Sequence, residues 1–173
     1  MSGAQQPVGT LEVALAHAAT LLTSDPTLAA EQVYEVLKVA PGDRIGIHAH
    51  DDTGQAVANS IAAVEAGARQ VQGTLNGIGE RCGNANLVTI IATLALKPVH
   101  AQRFETGVTR EALENLTHLS HKFDDILNRA PDAQAPYVGA SAFATKAGIH
   151  ASAIAKEPQT YEHVPPELVG NRR

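Results

Sequence analysis

The sequence predicts an α/β fold in which parallel strands are joined by crossover helices. Three observations carry that expectation. Apolar runs of helical period alternate with short strand-like runs from Ser24 to about Leu96; polar, glycine-containing loops follow those short runs; and the apolar mass is Ala, Val, Leu and Ile. Hydrophobic residues are 44% of the 173, aromatics only 3%, and tryptophan is absent. That composition suits layered strands and helices better than a small aromatic-centred module.

Residues 1–9 read as a loose leader, and Leu11 to Leu22 is helical in composition. Ser24 or Asp25 caps the next helix, with Pro26 in its first turn, where a missing N–H costs nothing. Val33, Val36, Leu37 and Val39 follow helical spacing, and Pro41-Gly42 stops it. Arg44 to His50 reads as a strand with Ile45, Ile47 and Ala49 on one face and Gly46, His48 and His50 on the other. Asp51, Asp52 and Thr53 can cap a helix with a Val57, Ile61, Val64 stripe, closed by Gly67. Gln70 to Leu75 is a second short strand. After the Gly77–Gly83 loop, Leu87, Ile90, Ile91 and Leu94 mark another amphipathic helix.

The grammar then changes. Thr109 caps a long helix with Leu113, Leu116, Phe123, Ile126 and Leu127 at helical spacing, and the chain after Pro131 is rich in Gly, Pro, Ala and Tyr without a strand pattern. A boundary is expected between roughly 97 and 108, with a helical and looped appendage after it. This divides the chain into a leader with helices (1–43), a strand-helix part (44–97) and the appendage (98–173).

Net charge is −5, so the chain lacks the basic footprint of a nucleic-acid binder. Cys82 is the sole cysteine, which excludes an internal disulfide framework and fits a reducing cytosol. Its position makes it a candidate nucleophile, but no base stands near it in sequence and a structural role is the better reading. No apolar run is long enough to span a bilayer, and the first residues lack a signal-peptide core. The expected setting is soluble and cytoplasmic, with neither nucleic acid nor membrane as partner.

The chemistry concentrates in two loops. His48 and His50 stand two apart at a strand end and so reach one side together, where they can hold one divalent ion. Their place where a strand gives way to a helix is the side of α/β sheets that carries active sites. Asp51 and Asp52 follow at once, as acceptors for the imidazoles or as further ligands. The next such loop runs Thr74-Leu75-Asn76-Gly77-Ile78-Gly79-Glu80-Arg81 and should be its spatial neighbour; its glycines permit close approach of backbone to a ligand. Glu80 is an acid/base group or a partner holding Arg81. Asn84 falls at the first turn of the following helix, a place that favours an anion or a metal-bound water. On spacing alone, His150 reads as a surface or satisfied histidine.

Gly46-Ile47-His48-Ala49-His50-Asp51-Asp52, Ala56-Val57-Ala58-Asn59-Ser60 and the run Val71 to Leu87 together resemble the 2-isopropylmalate, citramalate and homocitrate synthase family. The runs Pro136 to Phe143, Gly148-Ile149-His150, Thr160 to Val164 and Pro166 to Arg173 are similar to its citramalate branch in particular. The likeness extends from about Arg44 to Arg173; before it, only Thr27-Leu28 through Val39 resembles a family helix. The resemblance implies a (β/α)8 TIM barrel, of which this chain carries the last two strand-helix units followed by a helical subdomain. It implies an acyltransferase condensing acetyl-CoA, as co-substrate, with a 2-oxo acid, pyruvate favoured, in branched-chain amino-acid biosynthesis. His48 and His50 match the family's histidine ligands to a divalent metal (Mg2+, Mn2+ or Zn2+), and Asn84 matches its asparagine in the metal surroundings. His150 matches the catalytic histidine that the subdomain lends to a partner subunit, so a homodimer is implied. Glu80 lies in the family's Gly-x-Gly-Glu-Arg loop as a catalytic candidate.

The departures are specific. Asp51 stands where the family usually has Asn, and Thr145 and Ala147 replace its usual His and Gly. The family's Arg-Asp-Gly, whose Asp ligates the metal and whose Arg steadies the oxo acid, does not occur in these 173 residues. Ser24-Asp25-Pro26-Thr27 resembles at best an eroded Asp-Thr-x-Gly strand. The expectation is therefore an incomplete catalytic portion, associating with the missing N-terminal barrel part or with itself. The alternatives are an inactive metal-binding or interaction module, and a metal-dependent aldolase or lyase of the same superfamily.

Overall fold

The computed structural model describes residues 25–145, 148–157 and 160–173. The leader and the helix expected over Leu11 to Leu22 lie outside the described residues. The chain divides into two compact units, one ending at Leu87 and the other running Val88–Arg173. The composition boundary expected at 97–108 comes later, because composition changes after the helix that begins at Leu87 while packing changes at its start.

In the first unit, α1 (Pro26–Leu37) begins as its sequence requires: the Asp25 carboxylate accepts the Thr27 N–H at 2.7 Å, with Pro26 just inside. It buries Ala29, Val33 and Val36, but Val39 lies past the helix end and is exposed. β1 (Gly46–His48) follows, with Ile45, Ile47 and Ala49 all buried on one face as the alternation predicts.

Asp51 then accepts the N–H of Ala56, the first residue of α2 (Ala56–Ala66), at 2.8 Å. The expected Val57, Ile61, Val64 stripe is corrected. Ala56, Asn59, Ser60, Ala63, Val64 and Ala66 face inward, while Val57 and Ile61 are only half-buried. Small side chains let α2 pack closely, and Ser60 Oγ satisfies itself on the Ala56 carbonyl at 2.8 Å. Gly67 ends the helix at φ 131, its N–H donating to the Ala63 and Val64 carbonyls.

β2 (Gln70–Gln72) pairs parallel with β1 in the register Gly46 to Gln70, Ile47 to Val71 and His48 to Gln72. The described residues thus contain a strand, crossover helix and parallel strand, shorter than the expected runs but in the expected order. α3 (Leu87–Leu96) buries Val88, Ile90, Ala92 and Leu94, so it is covered more evenly than an amphipathic stripe would be.

In the second unit a short α4 (Pro98–Ala101) leads to α5 (Arg110–Glu114), capped by Thr109 Oγ1 accepting the Ala112 N–H at 3.2 Å. The expected single long helix is interrupted at Asn115, whose side chain bonds the Glu111 carbonyl at 3.1 Å, and resumes as α6 (Leu116–Ile126). The break turns the second half over. Leu113 and Leu116 are buried, but so are Thr117, Ser120 and Asp124, while Leu119, Ile126 and Leu127 are exposed. Polar atoms can turn inward because carbonyls receive them: Thr117 Oγ1 donates to Val169 O at 2.6 Å, and His121 Nε2 meets Val138 O at 2.9 Å.

The rest is turns, α7 (Gly148–Lys156) and a 3-10 turn over Pro166–Val169. Asn171 ties this end in, its amide donating to the Tyr137 and Gly139 carbonyls, each at 3.0 Å. Gly170, at φ 67, lies with its Cα against the Glu114 carbonyl, where no side chain fits. No helix among the described residues is long and apolar enough to cross a membrane.

Candidate metal centre

β1 ends at His48 and His50 follows just beyond it, and their rings meet edge to face with centroids 5.1 Å apart. The following loops are joined by main chain. Asp51 N–H donates to Gly83 O at 2.8 Å, Ala85 N–H donates to Ala49 O at 3.0 Å, and His50 and Asn84 form a bridge between them. Asn84 is therefore brought, from far along the sequence, against His50, whose ring in turn meets that of His48.

The glycine-rich loop explains how Asn84 is seated. Its Nδ2 donates to the Ile78 carbonyl at 3.2 Å, and its backbone N–H donates to Gly77 O at 3.0 Å. A Cβ on Gly79 would fall onto the Asn84 amide, 2.9 Å from its Cγ, and a Cβ on Gly77 would lie 3.2 Å from the Asn84 carbonyl oxygen. The glycines make room for the chain's own asparagine; the close approach expected toward a ligand is made toward Asn84. With Nδ2 engaged, Oδ1 is left buried with no hydrogen-bond partner, and so is His50 Nδ1.

Two buried polar atoms without hydrogen-bond partners in one bridged pair are costly unless something joins them, and an imidazole nitrogen in its unprotonated form offers, like the amide oxygen, a lone pair. Imidazole nitrogen and amide oxygen form a donor set that suits a divalent cation, so these residues fit one. Among the described residues no group of three or more His, Cys, Asp or Glu side chains is placed to hold a metal. The donors here are two imidazoles and an amide.

The other sequence candidates stand elsewhere. The Glu80 side chain is 83% exposed and lies 3.6 Å from Arg81 Nη1. Arg81 binds chiefly to Asp52 instead, through Nε at 2.9 Å and Nη2 at 2.8 Å. Those bonds hold the Asp52 carboxyl below the usual carboxylate range against the opposing effect of desolvation, and raise Arg81 in turn. Asp51 spends one carboxylate oxygen on the α2 N-terminus. Cys82 is exposed, so its thiol has no packing role. His150 belongs to the second unit, on α7, with its ring 4.3 Å from that of Tyr161.

Two features escaped sequence reading: the Asp52–Arg81 pair and the Ile78 carbonyl that orients Asn84. The pair had a signal, since loops expected to be neighbours carried opposite charges. The carbonyl had none, because any residue supplies one.

The comparisons with known proteins agree with these motifs. A family model described as HMGL-like matches residues 4–119, and one described as a homocitrate synthase post-HMGL domain matches residues 137–173. (R)-citramalate synthase of Synechocystis is 56% identical over 130 residues, covering 75% of this chain and 23% of that enzyme. (R)-citramalate synthase of Sulfolobus acidocaldarius is 40% identical over 173 residues, covering 98% of this chain and 32% of that enzyme. 2-Isopropylmalate synthase of Methylacidiphilum infernorum is 42% identical over 126 residues, covering 73% and 24% respectively. The chain thus spans between a fifth and a third of the length of these relatives. Among solved structures, an HMG-CoA lyase from Acinetobacter baumannii, in complex with coenzyme A and 3-methylmalate, shares the fold at TM-score 0.52 and 23% identity. That match covers 65% of this chain and 36% of the lyase.

Proposed function

This chain belongs to the HMGL-like family, and from that premise we propose that it is the metal-bearing catalytic portion of an acyltransferase joining the acetyl group of acetyl-CoA to a 2-oxo acid. Pyruvate is the favoured acceptor, because the citramalate synthases are the relatives matched at 51–56% identity. The second family match, over residues 137–173, favours a synthase over a lyase. On this reading residues 44–97 are the last strand-helix units of a (β/α)8 barrel and residues 98–173 its helical subdomain.

One observation supports the site above the others: His50 Nδ1 and Asn84 Oδ1 are both buried and unbonded on a backbone bridge, with the His48 ring beside them. His48, His50 and Asn84 would hold a divalent ion, which as a Lewis acid would polarise the oxo acid's carbonyl. His150, lent to the site of a partner subunit, would assist removal of a proton from the acetyl methyl. The new C–C bond would form between that methyl carbon and the oxo carbon, and water would then cleave the thioester to release free CoA. Glu80, exposed in the glycine-rich loop, would serve as a further acid/base group.

Calorimetric titration of Mn2+ into the chain and into His48→Ala/His50→Ala tests the metal assignment; equal binding by both would remove it. Free-thiol release from acetyl-CoA tests the reaction. The 173-residue chain alone is expected to turn over pyruvate poorly, because losing a preorganised electrostatic group costs on the order of a hundredfold or more and no Arg-Asp-Gly is present. A separately produced citramalate synthase segment carrying Arg-Asp-Gly should restore thiol release, and His150→Ala should abolish the gain. Release that is unaffected by His150→Ala would refute its assignment.

A further inference from the structure

Arg81 is the one cation in the glycine-rich loop, and an anionic substrate is the obvious partner for it. Its geometry points elsewhere. Nε and Nη2 are both committed to the two oxygens of Asp52, at 2.9 and 2.8 Å, in a planar fork. Both oxygens of the Asp52 carboxylate are thus taken up by the one guanidinium of the opposite loop. Arg81 itself sits at φ 56, a left-handed conformation that a bulky side chain adopts only when its surroundings over-determine it. Asp52 lies two residues after His50, and Arg81 lies three before Asn84.

We propose that Asp52 and Arg81 are a positioning pair that locks the two loops together and so sets His50 against Asn84, rather than a binding group for the oxo acid or for CoA. The proposal rests on the reading of His50 and Asn84 as metal donors. It joins three elements of one neighbourhood: the Arg81 fork on Asp52, the Asp51 N–H to Gly83 O bond, and the Ala85 N–H to Ala49 O bond. The exposed side-chain fork joins the same two loops as the two main-chain bonds and keeps them from opening.

The sign of one substitution separates this role from the alternatives. Through charge alone, removing the cation in Arg81→Ala would strengthen binding of a divalent ion to nearby donors. As a lock, its removal should weaken Mn2+ binding, by roughly 10- to 100-fold as for other residues that orient metal ligands. Arg81→Lys keeps the charge but loses the planar fork, and should fall nearly as far as Arg81→Ala. The charge-reversed pair Asp52→Arg/Arg81→Asp should recover part of the loss.

Two readouts are taken on the full chain: Mn2+ affinity by calorimetry, and hydrogen exchange at the Asp51 and Ala85 amides without metal. Faster exchange at both amides together with weaker Mn2+ binding in Arg81→Ala supports the proposal. Unchanged exchange overturns it, whatever the metal result. Faster exchange with unchanged or tighter Mn2+ binding overturns the link to the donors. A wild-type chain that binds no Mn2+ would remove the metal reading, and the exchange data would still decide whether the fork locks the loops.

Discussion

Replacing Gly79 by alanine should unseat Asn84 while leaving the fold standing. The added Cβ falls on the Asn84 amide, 2.9 Å from Cγ, and the atoms it meets first belong to the end of a side chain rather than to backbone. Asn84 can rotate away, but it then gives up its 3.2 Å bond to Ile78 O. Two costs combine. An L residue at φ 156 is strained by about 1–3 kcal/mol, and a lost hydrogen bond adds roughly 0.5–1.5 kcal/mol, for a total of about 1.5–4.5 kcal/mol.

Gly54→Ala is the matched control. It also has positive φ, 71, but a Cβ there meets nothing within 4 Å. It should cost only the backbone preference, about 1–2 kcal/mol, and leave Asn84 in place. Urea unfolding measures the stability of both variants. The Asn84 side-chain amide resonances report its seat, and Mn2+ calorimetry reports the donor set, with a loss of about tenfold or more expected for Gly79→Ala alone. If Gly79→Ala left the Asn84 resonances unshifted, or if Gly54→Ala displaced them equally, the reasoning from steric seating would be wrong.

Gly170→Ala should be strongly destabilising, by roughly 2 kcal/mol or more, because its Cβ would meet the Glu114 carbonyl at a φ of 67; a thermal melt measures this. Leu116→Ala should cost about 2–5 kcal/mol and Ile126→Ala less than about 0.5 kcal/mol, since the first is 4% exposed and the second 71%; urea midpoints that rank them the other way would refute the turned-over helix. His163 should make stability fall with acid. Desolvation, then the Lys97 ammonium 2.9 Å from Nδ1, depress its folded pKa, so the folded state binds fewer protons than the unfolded chain. That stability is present above the unfolded value of about 6.5 and is lost as pH drops through the folded value. Urea midpoints for wild type and His163→Gln should therefore converge on going from pH 7.5 to pH 5.

The strand-helix grammar of the first unit was legible because its signals are local. Asp25 and Pro26 start a helix by capping chemistry, Gly67 ends one by its φ, and the alternation at Ile45, Ile47 and Ala49 separates the buried face from His48 and His50. The His48/His50 pairing followed from a period of two. What stayed hidden depended on partners far along the chain. Thr117, Ser120 and Asp124 turn inward on α6 against their hydropathy, and the Val169 carbonyl that receives Thr117 carries no sequence signature, nor does the Val138 carbonyl that meets His121. Val57 and Ile61 looked like a core stripe because size was read as burial, whereas close helix packing selected Ala and Ser. The orientation of Asn84 was equally invisible, since the Ile78 carbonyl decides it.

The stitching of the second unit has a consequence for reading its relatives. Thr117, His121 and Asn171 each reach a main-chain carbonyl, on Val169, on Val138, and on Tyr137 and Gly139. The receiving position can change its side chain freely and still accept the bond. Such a contact constrains one column of an alignment and leaves its counterpart free to drift, so it generates no correlated substitution. Methods that infer proximity from paired changes would pass over these ties, and the second unit would look less constrained than its hydrogen bonds make it.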